Sequence, residues 1–252
     1  MSVVEINGLK LGSGRPKIAV PLTGKTQDEL LKQADDITTE NADLVEWRID
    51  HFANVRDSQL VNETSKKLYS KLADLPLLIT FRTADEGGAL QLKNEEEYFL
   101  ICKNVVENQC GDLLDLELFR DARKRQEMIK LAQKNDIKII MSNHNFEKTP
   151  EKEKIFNRLQ MMQNFGADIA KIAVMPNSVE DVLSLLDVTH QAKQKLQIPI
   201  ITMAMGDLGK LSRISGDIFG SCLTFGTVGK ASAPGQIESE QLRSMLDVLQ
   251  IS

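Results

Sequence analysis

Ionisable residues stand inside runs of the chain that are otherwise apolar, and their spacing follows one rule. The run Leu44-Val45-Glu46-Trp47-Arg48-Ile49-Asp50 carries Glu46 and Arg48 two residues apart. Side chains alternate faces along a strand, so these two share a face. The same period groups Arg82 with Leu78 and Thr80, Asp115 with Glu117, and His144 with Ile140 and Ser142. Lys171 stands among apolar neighbours in Asp168-Ile169-Ala170-Lys171-Ile172-Ala173-Val174. A buried ammonium or carboxylate is costly unless paired. Seven such groups near the ends of their runs point to one shared polar cavity holding both signs of charge. Salt bridges that only fix strand register are the plainer alternative, strongest for Asp115 and Glu117.

Two of these residues suggest chemistry. Burial and a neighbouring Arg48 or Arg82 would favour Lys171 as a neutral amine able to attack a carbonyl. A buried ion pair with Glu46 or Glu117 fits equally well. His144, in Met141-Ser142-Asn143-His144-Asn145-Phe146, suits a general acid–base near neutral pH. His51 and His190 are read as non-catalytic. The three histidines lie far apart with no metal-ligand spacing, so no metal is expected. Arg213 could hold a carboxylate with its planar fork, or be an ordinary surface arginine. The loops Asp85-Glu86-Gly87-Gly88 and Gly226 to Gln236 could face a ligand or act as a lid, or be plain connections.

The elements that must position these residues follow from the alternation of short apolar runs with longer amphipathic stretches. The runs are Lys17–Leu22, Leu44–Ile49, Leu77–Phe81, Leu113–Leu118, Ile137–Ser142, Ile169–Met175, Ile198–Met203 and Ser221–Phe225. The stretches between them carry helix-start signals at Thr26-Gln27-Asp28-Glu29, Asn94-Glu95-Glu96-Glu97, Thr149-Pro150 and Ser178-Val179-Glu180-Asp181. Eight strand–helix units in 252 residues fit an α/β fold, a (β/α)8 TIM barrel forming one domain over residues 1–252. A doubly wound open sheet is the alternative, but Leu22-Thr23-Gly24-Lys25 lacks a glycine-rich phosphate turn. Residues 1–16, with Gly8, Gly12 and Gly14, read as an extension, expected as a hairpin closing the barrel floor.

Composition narrows the class. The formal net charge of −5 argues against a general nucleic-acid binder. Cys102, Cys110 and Cys222 form no CxxC pair, so neither a disulfide framework nor a zinc site is expected, and a reducing cytoplasm is the default. No apolar run is long enough to span a membrane.

Taken in order, several segments resemble the type I 3-dehydroquinate dehydratases, the Schiff-base enzymes of the shikimate pathway. They are Glu46-Trp47-Arg48-Ile49-Asp50, Phe81-Arg82-Thr83 with Glu86-Gly87-Gly88, Asp115-Leu116-Glu117, and Ser142-Asn143-His144-Asn145-Phe146 with Thr149-Pro150. They continue through Gly166-Ala167-Asp168-Ile169, Lys171-Ile172-Ala173-Val174-Met175-Pro176, Phe225-Gly226 and Ala231-Ser232-Ala233-Pro234-Gly235-Gln236.

The resemblance implies that Lys171 forms an iminium with the C3 ketone of 3-dehydroquinate. It implies that His144 removes a C2 proton and returns it to the departing C1 hydroxyl, with Glu86 orienting His144. Glu46, Arg48 and Arg82 would hold ring hydroxyls. Arg213 and Gln236 would bind the ring carboxylate, with Ser232 and Ala233 closing over it. Met203, Met205 and Phe225 would supply apolar walls. It further implies no cofactor, a homodimer, and no nucleic-acid or membrane partner. Two positions depart from the pattern: Pro21, where a small polar residue is expected, and Asn145, where aspartate is common. A class I aldolase on the same barrel and a non-catalytic ligand-binding barrel are the rivals. The aldolase should show a phosphate-binding glycine loop, and the final loop has only Gly226 and Gly229 at its start.

Overall fold

The computed structural model describes residues 3–39, 41–229 and 233–251. Eight parallel strands make the barrel: β1 Lys17–Leu22, β2 Leu44–Arg48, β3 Leu77–Thr80, β4 Leu113–Glu117, β5 Lys138–Asn145, β6 Ile169–Val174, β7 Ile200–Ala204 and β8 Leu223–Thr227. From β1 to β7 each strand pairs with the next in chain order, and β8 pairs with β1 through Leu223 opposite Lys17 and Phe225 opposite Ala19. Between β7 and β8 the ring closes at a single bridge, Ile200 to Ser221, where the Cys222 amide donates to the Ile200 carbonyl at 2.8 Å. Pro21 has no N–H to give, and it falls beyond Ala19, where the β1–β8 ladder ends.

The period-two pattern sorts side chains into two buried bodies. Outward residues such as Val45, Ile79, Leu114, Ile139 and Ile172 pack against the surrounding helices. The first inward residues, Ala19, Leu44, Leu78, Leu113, Ile140, Ile169 and Leu223, form a separate apolar floor inside the barrel. A two-stranded antiparallel hairpin, Val4–Ile6 with Leu9–Leu11, joins that floor through the buried Ile6 and Leu11. Asn7 Nδ2 donates to Asp112 Oδ1 at 3.1 Å, tying the hairpin to the start of β4. Above the floor the inward positions become polar: Glu46, Thr80, Asp115, Ser142 and Lys171, then Arg48, Arg82, Glu117 and His144.

Most helix starts follow their sequence signals. Thr26, Asn94 and Ser178 cap α1 (Gln27–Asp35), α3 (Glu95–Glu107) and α6 (Val179–Lys195), each side chain accepting an amide of the first turn. Thr149-Pro150 does not behave this way. The helix there, α5 (Lys152–Asn164), starts two residues later from Glu151 without a side-chain cap. The Thr149 hydroxyl instead donates to the Met175 carbonyl at 3.2 Å and so anchors the loop after β6. Strand ends also move: β5 runs past His144 to Asn145, and β8 begins at Leu223, two residues after the expected start. Among the described residues no helix is long and apolar enough to cross a membrane.

Leu11 is fully buried against the barrel floor. Leu11→Ala is expected to cost about 2–5 kcal/mol of unfolding free energy, read from urea denaturation, while the folded enzyme keeps its turnover. An unchanged midpoint would show that the hairpin does not belong to the core.

Candidate active site

Asp115 is fully buried at the centre of the polar layer. Its Oδ1 lies 2.8 Å from Arg82 Nη2 and its Oδ2 accepts from Lys171 Nζ at 3.3 Å. The Ser142 hydroxyl donates to Oδ1 at 2.5 Å. Burial alone would raise the pKa of this carboxyl, but the Arg82 and Lys171 charges outweigh it and hold the group well below the usual carboxylate range. Lys171 is also 3.8 Å from Glu46 Oε1 and lies over the Phe225 ring, 4.5 Å from its centroid. Both ion pairs of Lys171 are therefore with carboxylates, and the partners are Asp115 and Glu46 rather than Glu117. Glu117 is occupied elsewhere, by Arg82, Arg120 and the Thr83 amide and hydroxyl. Asp115 and Glu117 thus pair with cations of the site without lining its cavity, while Glu46, Arg48, Arg82, His144 and Lys171 line it.

His144 is fixed on one side. Glu86, on the short 3-10 turn Ala84–Glu86 after β3, presents Oε2 to both the His144 amide and Nδ1, each at 2.9 Å. In the tautomer whose Nδ1–H donates to that oxygen, Nε2 keeps its lone pair. Burial, then the Arg82 and Lys171 charges, push the imidazole pKa well below its ordinary value, which keeps the ring neutral. The carboxyl of Glu86 is raised by burial, with Arg82 and the Asn143 amide opposing that rise. Gly87 closes the turn at φ 82°, and a Cβ there would meet the Phe146 ring at 2.3 Å, so only glycine fits.

Arg213 is 1 % exposed on α7 (Lys210–Ile214), so it is not a surface arginine. Its Nη2 donates to the Pro234 carbonyl at 3.0 Å, while Nε and Nη1 have no hydrogen-bond partner among the described residues. Burial pulls this guanidinium down to about 10. A cation short of partners at a cavity wall suits an anionic ligand. Ala233 and Gln236 line the same wall, the Ala233 amide donating to Gln236 Oε1 at 3.3 Å. Met203, Met205 and Phe225 supply apolar lining. Ser232 lies outside the described residues. His51 sits 3.7 Å from Asp50 and His190 bonds Gln194, both apart from the cavity lining. No group of three or more metal-binding side chains occurs among the described residues.

Three residues of this arrangement were not singled out as site residues from the sequence. Asp50 accepts Arg48 Nε and Nη2 in a two-pronged pair, both at 2.8 Å, and also the Ala89 amide at 3.0 Å. It ties Arg48 to the loop that carries Glu86. Its place two residues after Arg48 was the available signal. Asn143 and Arg158 stand behind Glu86, and only Asn143 fell in a quoted motif. Asn145, one of the two departures from the family pattern, accepts the amides of Glu147 and Lys148 and shapes the following turn.

The molecule at this level is a (β/α)8-barrel enzyme with its site where barrel enzymes place it, at the C-terminal ends of the strands. Comparison with known proteins resolves the family. The model of type I 3-dehydroquinase matches residues 18–252. A 3-dehydroquinate dehydratase of Lactiplantibacillus plantarum is 47 % identical over 249 residues, 99 % of this chain and 98 % of the relative. A crystal structure of a type I 3-dehydroquinate dehydratase from Clostridium difficile, with covalently modified comenic acid, superposes with a TM-score of 0.94 at 43 % identity over 98 % of both chains. The Enterococcus faecalis 3-dehydroquinate dehydratase superposes at 0.92 with 40 % identity, covering 98 % of this chain and 100 % of its own. The chain belongs to the type I 3-dehydroquinase family, lyases that dehydrate 3-dehydroquinate in the shikimate pathway.

Because the native pKa of Asp115 is depressed, its stabilisation is fully present above the unfolded value of about 3.9 and declines as pH falls below it towards the native value. Asp115→Asn is expected to lower the unfolding free energy by about 3 kcal/mol at pH 7. In urea titrations the gap to wild type should narrow below about pH 4. A gap that stays constant down to pH 2 would contradict the pairing.

Proposed function

We propose that this enzyme dehydrates 3-dehydroquinate to 3-dehydroshikimate through an iminium on Lys171, with His144 as base and then acid. The supporting observation is that the cavity brings a strand lysine beside a buried histidine whose Nδ1 lies 2.9 Å from Glu86 Oε2. A C–H next to a ketone is a poor acid. The Lys171 ammonium gives up a proton so that its amine can add to the C3 carbonyl, that proton leaves with the carbonyl oxygen as water, and the resulting cationic iminium becomes an electron sink. His144 Nε2 takes a C2 proton, and the C–H pair flows toward the iminium to give an enamine. The pair returns to form the C1–C2 double bond as the C1 hydroxyl departs, taking the proton from His144 as water. A water molecule then hydrolyses the iminium, freeing Lys171 and the enone, so the net loss is one water.

The surrounding residues serve orientation. Arg213 and Gln236 bind the ring carboxylate, with Ala233 over it. Glu46, Arg48 and Arg82 face the ring hydroxyls, and Met203, Met205 and Phe225 hold the carbon skeleton. Fixing carboxylate and hydroxyls aims the C2 hydrogen at Nε2, an orientation effect worth several kcal/mol. No resident metal or organic cofactor is required by this chemistry. The aldolase alternative is disfavoured by Arg213, whose planar fork suits a carboxylate. Three free thiols fit a cytoplasmic location. A homodimer is carried by the family resemblance, and a single species at the monomer mass in sedimentation velocity would contradict it.

Adding 3-dehydroquinate should generate the ultraviolet absorbance of a conjugated enone, undiminished by a chelator. Lys171→Ala should abolish the signal, and His144→Ala should reduce kcat by a factor on the order of 10²–10⁴. A Lys171→Ala enzyme that turns over at the wild-type rate would remove the iminium from the mechanism.

A further inference from the structure

Asn143 breaks the pattern of its strand. It sits on β5 between Ser142 and His144, so its side chain belongs to the outward face shared with Ile139 and Met141, in the apolar layer between sheet and helices. It is 5 % exposed. An amide in that layer is costly unless both of its ends are bonded. Its Oδ1 accepts from Arg158 Nη1 of α5 at 2.6 Å, and its Nδ2 donates to Glu86 Oε1 at 3.0 Å. The other oxygen of Glu86 holds His144. An unbroken line of hydrogen bonds therefore runs from α5 on the outside of the barrel to the imidazole inside it.

We propose that Arg158 and Asn143 are positioning residues that fix the orientation and charge of Glu86, and through it the base form of His144. An amide side chain can turn end for end, and the two ends look alike in shape. A guanidinium only donates and a carboxylate only accepts. With Arg158 on one side and Glu86 on the other, one amide orientation satisfies both partners. Arg158 thereby obliges Asn143 to donate to Glu86, which keeps that carboxylate an acceptor and Nδ1 of His144 a donor. The Arg158 guanidinium is itself held over the Phe119 ring, 5.2 Å from the centroid.

The inference rests on His144 acting as the base. The other charges facing the Glu86–His144 pair are Arg82 from the end of β3, Arg48 from β2, Asp115 and Glu117 from β4, and Lys171 from β6. None of these touches Asn143 in the hydrogen bonds of the site, so replacing Arg158 leaves their contacts in place. Loss of the Arg158 charge and of the oriented amide both disfavour ionised Glu86. A carboxyl that ionises less readily moves the acidic limb of the pH profile to higher pH.

The test is the pH profile of kcat and kcat/KM for Arg158→Leu, Arg158→Lys and Asn143→Leu beside His144→Ala. Arg158→Leu should lower kcat about tenfold, the effect of one hydrogen bond to a charged group, with KM within about twofold. Its acidic limb should rise by roughly half to one pH unit. Asn143→Leu should do the same or more, and Arg158→Lys, which keeps a donor and a charge, should recover most of the loss. Arg158 is only half-buried, so its variants should fold. Folded variants with unchanged limbs, whether or not kcat falls, would reduce the pair to a structural role and overturn the inference. If His144→Ala itself turns over at the wild-type rate, the fault lies in the base assignment instead.

Discussion

Arg82 and Lys171 lie inside a barrel on opposite oxygens of one carboxylate, Asp115, and the rest of the site depends on that sharing. Two cations buried side by side repel each other and lose their hydration. A carboxylate between them offsets both effects only if its geometry is held, which the Ser142 hydroxyl helps to do. The result is a lysine fixed in direction before any substrate arrives. Phe225 covers its ammonium face, and Glu46 stands on its other side, itself held by the Thr80 hydroxyl at 2.8 Å. The apolar floor below, with Ile6 and Leu11 of the hairpin packed into it, forms the base of this array.

Carboxylates here do three separate jobs, set by what surrounds each. Asp115 balances two cations and stays ionised. Asp50 grips Arg48 at the rim and the Ala89 amide of the adjoining loop. Glu86 is turned toward an imidazole and an amide, where burial works against its charge and its donors work for it. This division explains how a base and a cationic lysine coexist in one cavity. His144 is kept neutral by burial and by the same positive charges that Asp115 steadies.

Much of this was legible in the sequence, because strand periodicity is a local property. Placing Glu46, Arg48, Arg82, Asp115, Glu117, His144 and Lys171 on inward faces required only that alternate residues of a strand share a face. Partner identity was not legible, because it depends on register between strands. Lys171 meets Asp115 and Glu46, and Glu117 is claimed by Arg82 and Arg120. Arg213 could not be told from a surface residue, since a five-residue helix carries no periodic signal. Thr149-Pro150 has the form of a helix start, but the Met175 carbonyl takes its hydroxyl. Asn143 was hidden by its position: an outward residue on a strand is expected to be packing, and its partner on α5 is 15 residues away. The net charge of −5 conceals four cations that line one cavity, Arg48, Arg82, Lys171 and Arg213.

The central claim is that Lys171 is the residue that joins covalently to the substrate. Sodium borohydride added during turnover of 3-dehydroquinate reduces an iminium to a stable secondary amine, and peptide mass spectrometry then locates the adduct. Inactivation with the added mass confined to the peptide bearing Lys171 is the predicted result. An inactivated enzyme with Lys171 unmodified, or full activity after the treatment, would contradict it.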